Sequence, residues 1–71
     1  MSSVLAWTHE NLREGMRAHS CVQLDEKLAA FIATVHVDGV LAHRSEHVGF
    51  RAGQRAVFRA IDRALAIRRI P

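Results

Sequence analysis

Arg51, Arg55, Arg59 and Arg63 recur every fourth residue in FRAGQRAVFRAIDRALAIRRIP, the last third of the chain. On a helix this spacing stacks four guanidinium groups in one column, rising about 6 Å per step. That step is close to the spacing of successive phosphates along one nucleic-acid strand. Each guanidinium is a planar fork able to hold a phosphate through two parallel hydrogen bonds. The column is not free of cost, because like charges four residues apart destabilise a helix by ~0.2–0.5 kcal/mol per pair. Asp62 lies three residues from Arg59 and next to Arg63, so it offsets only part of the repulsion. The spacing predicts a cationic docking face of Arg51, Arg55, Arg59, Arg63 and Arg69. Its bland alternatives are a column bathed in water or one paired with acidic residues from the first half of the chain.

A second group with chemical potential is His43-Arg44-Ser45-Glu46-His47, which spells H-x-x-E-H. This run resembles the zinc motif of the inverzincin metallopeptidases. The resemblance covers five residues and implies two zinc-binding histidines, with a glutamate that activates water, on one helix. A third ligand is expected downstream, and the residues after His47 contain no His, Cys or Glu. The other arrangement these side chains allow is a non-catalytic zinc site using His43, His47 and Cys21, bridging two copies of the chain. Catalysis finds no other footing: the chain has no glycine-rich phosphate loop, no tyrosine and no serine in a nucleophile elbow. The expectation is therefore a non-enzymatic protein with no cofactor and no small-molecule substrate.

These residues need elements to position them, and periodicity predicts three helices, at 8–19, 22–38 and 51–69. Thr8 reads as an N-cap, with Trp7 and Leu12 as a hydrophobic staple; Ser20 and Gln23 read as a capping box. Leu24, Leu28, Phe31, Ile32 and Val35 follow the spacing of a buried helical stripe. Ala30 and Ala33 on its far side would let a second helix approach closely. Val57, Phe58, Ile61, Ala64 and Leu65 make the apolar face of the last helix, opposite the arginines, while Ile67 and Ile70 fall off that stripe and predict a further contact. Residues 45–53 read as a loop or frayed turn. The expected class is all-α, with a core of Leu12, Met16, Leu24, Leu28, Phe31, Ile32, Val35, Val57, Phe58, Ile61 and Leu65 under a Trp7 lid. One stretch carries a competing signal. Asp38-Gly39 between two apolar runs suits a type I′ hairpin turn, which would make the fold α+β instead.

Composition bounds what such a domain can do. With 71 residues, 49% hydrophobic and 24% charged, the chain reads as one globular domain, residues 1–71. A core this small supplies only about 3–5 kcal/mol of net stability. Cys21 is the single cysteine, so no internal disulfide can add to it, and homodimerisation is the expected remedy. The opening MSSVLAW lacks the basic start and apolar run of a signal peptide, and no stretch nears the roughly 20 apolar residues of a membrane span, so a cytoplasmic, membrane-free protein is expected. Charge is lopsided. Residues 50–71 hold six arginines against Asp62 alone, a net of +5, whereas residues 1–49 sum to −2. Taken together, the sequence predicts a small regulatory protein whose C-terminal helix grips an anionic macromolecule. Nucleic acid is slightly preferred over an acidic protein surface; the latter is the manner of small inhibitors on mobile elements.

Overall fold

The computed structural model describes residues 3–70 and is not all-α; Met1, Ser2 and Pro71, at the ends of the expected domain, lie outside the described residues. Four antiparallel strands precede one helix: β1 (Ser3–Arg13), β2 (Met16–Asp25), β3 (Ala30–Val37), β4 (Val40–His47) and α1 (Phe50–Arg68). The strands form a meander in the order β1-β2-β3-β4, with α1 laid across one face. Of the three expected helices, those at 8–19 and 22–38 do not exist, and Ser45–His47 is strand, not loop. Thr8 and Ser20, read as helix caps, sit mid-strand opposite Cys21 and His9.

Turn chemistry accounts for the meander. Asp38 (φ 50°) and Gly39 (φ 85°) form a two-residue loop between the partners Val37 and Val40. Both central residues have positive φ, as a type I′ turn requires, and its twist matches that of the flanking strands. Glu14 (φ 53°) and Gly15 (φ 79°) repeat this between Arg13 and Met16. Between β2 and β3, Asp25 Oδ1 accepts hydrogen bonds from the amides of Lys27 (3.0 Å) and Leu28 (3.1 Å), a side-chain mimic of a backbone turn. That turn is what breaks the apparent helical stripe. Leu28 lies on its tip, 52% exposed, and Leu24, Phe31 and Val35 face α1 while Ile32 points to the other side of the sheet.

The core lies between sheet and helix. Met16, Ala18, Ser20 and Val22 alternate inward along β2, with Ala33 and Val35 beside them on β3, and Val57, Ala60, Ile61 and Leu65 close it from α1. The expected core is wrong at Leu12, Leu28 and Phe58, all exposed, and it omitted Ala18, Val22, Ala33 and Ala60. Small residues are favoured here because α1 sits close to the sheet. A Cβ added to Gly53 would stand 3.2 Å from Val22 Cγ1. Trp7 packs partly buried beside this core and edge-on to Phe58, at 5.7 Å between ring centres.

Ser20 is the exception in this apolar layer: it is 1% exposed and its hydroxyl has no hydrogen-bond partner. An unsatisfied buried hydroxyl costs about 1–3 kcal/mol. Ser20→Ala removes the polar atom with little change of volume, so urea denaturation is expected to show a stability gain of about 1 kcal/mol.

Candidate nucleic-acid interface

The C-terminal helix spans Phe50–Arg68, with the arginine column on its outer face. Arg51, Arg55, Arg59 and Arg63 are all exposed, whereas Gly53, Val57, Ala60, Ile61 and Leu65 are buried against the sheet. Four residues advance a helix by about 400°, so the column drifts about 40° per step across the outer face. Its N-terminal end borders Phe58, which packs on Trp7 and His9 of β1. Its C-terminal end, Arg63, stands by Ala42 and His43 of β4.

The six arginines of the helical segment divide into two sets. Arg68 donates to Asp38 Oδ2 at 3.0 Å and reaches the Gly15 carbonyl; Arg69 donates through Nε to Glu14 Oε1 at 3.0 Å and through Nη2 to Oε2. These contacts tie the helix end to both type I′ turns. Arg69, expected in the docking set, is thus engaged within the fold. Asp62, the column's only neighbouring acid, approaches Arg13 at 3.9 Å. Among the described residues, Arg51, Arg55, Arg59 and Arg63 have no ion-pair partner.

Gly49 caps α1 without a side chain, and its first turn contains no acid, so the positive end of the helix dipole adds to Arg51 and Arg55. These two arginines, with Gln54, line a groove of about 440 Å³ walled by Phe50 and Phe58. Phe58 is 43% exposed and continues into the Trp7–His9 stack, whose ring centres are 5.5 Å apart. Cations beside exposed aromatic rings offer phosphates and bases their respective partners. The sequence signals for this groove were Arg51 and Arg55, whereas helical periodicity assigned its wall residue Phe58 to the core.

Within one chain, the described residues of the histidine motif do not assemble a metal centre. On a strand, alternate residues share a face, so His43, Ser45 and His47 point toward α1 and Glu46 points away. Cys21 lies on that other face, where Sγ meets Thr34 Oγ1 at 3.1 Å. The expected set His43, His47 and Cys21 is therefore split by the sheet, and no group of three metal-ligating side chains converges among the described residues. His43 Nε2 and His47 Nε2 instead flank Ser45 Oγ at 2.8 and 2.6 Å. One hydroxyl proton serves two ring nitrogens, so one histidine accepts from Ser45 while the other donates to it.

Burial, then the charge of Arg63 on α1, then His47, hold the His43 pKa below its usual value. The folded protein thus resists a proton that the unfolded chain accepts, and stability falls as pH drops below about 6.5. Two carboxyls act lower down. Asp38 is held below the ordinary carboxylate range by the Arg17 amide and then Arg68; Glu14 is held down first by its hydrogen bond to Arg69. Their contribution is present above the unfolded carboxyl values and is lost as pH falls through the lower folded ones. Thermal melts are expected to show two acid-side declines, one beginning below about pH 6.5 and one below about pH 4.5. His43→Gln should remove the first and leave the second.

The expected interface residues separate as well. Ile67 and Ile70 are 62% and 69% exposed, Ala30 is half-buried at the start of β3, and Ala33 is fully buried in the core. No helix among the described residues is long and apolar enough to cross a membrane. In comparisons with known proteins, the chain matches no family model, no curated protein and no solved structure.

Proposed function

We propose that the protein is a non-enzymatic nucleic-acid binder that grips the phosphate backbone through Arg51, Arg55, Arg59 and Arg63. One observation carries this reading: these four guanidiniums lack an acidic partner among the described residues, while Arg68 and Arg69 on the same helix are both paired. Glu14 and Asp38, on the two turns, engage the end of the helix. The groove at Phe50, Gln54 and Phe58 adds aromatic rings beside two of the arginines, which favours contact with bases as well as phosphates. With backbone contacts dominant, sequence discrimination would be weak.

A second reading has its own observation. Exposed Ile67 and Ile70 lie at the far end of the same helix, and an acidic protein with an apolar rim would use both features. Fluorescence anisotropy with labelled random-sequence DNA and RNA over a salt series separates the two. Four phosphate contacts predict that log K falls against log salt with a slope of about −3 to −4. Absence of binding at low salt would overturn the nucleic-acid reading and leave the acidic protein surface.

A further inference from the structure

From the edge strand β4 we infer that the protein pairs with a second copy of itself, β4 against β4, about a two-fold axis through Ser45. This inference is independent of the proposed function. In the meander, β1 and β4 each have one side without a neighbouring strand, leaving backbone groups open to another chain. The two edges are not equivalent.

β4 is irregular at its start, where the partner register skips Ala42 between His43 and Leu41. From His43 to His47 it is regular, and Ser45 is the midpoint. Antiparallel pairing about that midpoint sets Arg44 opposite Glu46 of the second copy and Glu46 opposite its Arg44. Both residues point to the uncovered sheet face, where within one chain they already meet at 3.1 Å. The strand is therefore charge-complementary to itself. β1 has its own bulge, at Ala6, and is regular from Trp7 to Arg13 with Glu10 at the midpoint. Pairing there would set Glu10 against Glu10, and like charges directly opposite are destabilising. Charge thus selects β4 over β1.

Apolar exposure agrees with that choice. Val48 is 93% exposed immediately after β4, and the same two-fold brings it to the Ala42 end of the second copy, where Ile67 is 62% exposed. Ala42 and Ile67 line one shallow cleft between strand and helix. The axis stands perpendicular to the sheet, so the pair is an eight-stranded antiparallel sheet with both helices on one face. Both arginine columns then face the same way.

Light scattering after size exclusion tests the inference. The wild type should be a dimer. Arg44→Glu and Glu46→Arg should each weaken the dimer by about tenfold or more, because each replaces two attractive cross-strand pairs with two repulsive ones. An equimolar mixture of the two variants should restore it, since every pair across the mixed seam is again opposite in sign. Ser45→Cys in a Cys21→Ser background gives a second readout, a covalent dimer on mild oxidation. A monomeric wild type would overturn the inference. So would a dimer that neither charge variant weakens and that Ser45→Cys does not cross-link.

Discussion

Replacing Arg51, Arg55, Arg59 and Arg63 together by glutamate is expected to abolish nucleic-acid binding while leaving the fold intact. The formal charge moves from +3 to −5, since each replacement changes it by two units. Affinity at low salt should fall by about a hundredfold or more, because the counterions released by four phosphate contacts are no longer released. Single Arg→Ala changes should instead lower the salt slope by about 0.7–0.9 each, the signature of backbone contact. The four side chains are exposed and unpaired among the described residues, so circular dichroism and melting temperature should change little. Arg68→Glu and Arg69→Glu are the informative contrast. They break contacts to Asp38 and Glu14, and their first effect should be on stability. If the quadruple variant binds as tightly as the wild type, the outer face of α1 is not the docking face.

The second large effect is on stability. Ile61 is 1% exposed at the centre of the helix–sheet layer. Ile61→Ala is expected to cost about 2–5 kcal/mol, counting both the lost transfer energy and the cavity left behind. A domain of this size has only about 3–5 kcal/mol of net stability in its core, so the variant should be largely unfolded at room temperature. Ile61→Val should cost about 0.5–1.5 kcal/mol and stay folded. Leu12→Ala and Leu28→Ala, at positions that helical periodicity placed in the core, should stay within about 0.5 kcal/mol of wild type, as exposed sites do. Urea titrations of the four variants check the order. A large loss at Leu12 or Leu28 would contradict the strand assignment of the first half of the chain.

The helix and its outer face were legible because their information is local. Arginines at i and i+4, opposite Val57, Ile61 and Leu65, place themselves on opposite sides of any helix, whatever it packs on. Asp38-Gly39 was legible only as a competing signal: two adjacent residues tolerant of positive φ suit a type I′ turn, but the regular apolar stripe before them favoured the end of a helix. The chain between the turns held no comparable signal. Ala18, Ser20 and Ala33 fill inward positions of β2 and β3, yet small and polar residues do not register as an apolar alternation. Leu24, Leu28, Phe31 and Val35 meanwhile fell at helical spacing across what is a turn, because nothing in their types marks Leu28 as its tip.

By itself, then, the sequence determined the C-terminal helix, its cationic outer face and the absence of an internal disulfide, and it left the Asp38-Gly39 hairpin as the competing reading. Tertiary structure decided that residues 3–47 are four strands joined by tight turns, that His43 and His47 share a face from which Glu46 and Cys21 are excluded, and that Arg68 and Arg69 are paired while the column is not. The physical reason is range. A helix is closed by hydrogen bonds four residues apart, whereas a strand is stabilised by partners remote in sequence and by the face it buries. Arg69 meets Glu14 across 55 residues, and no spacing rule spans that distance.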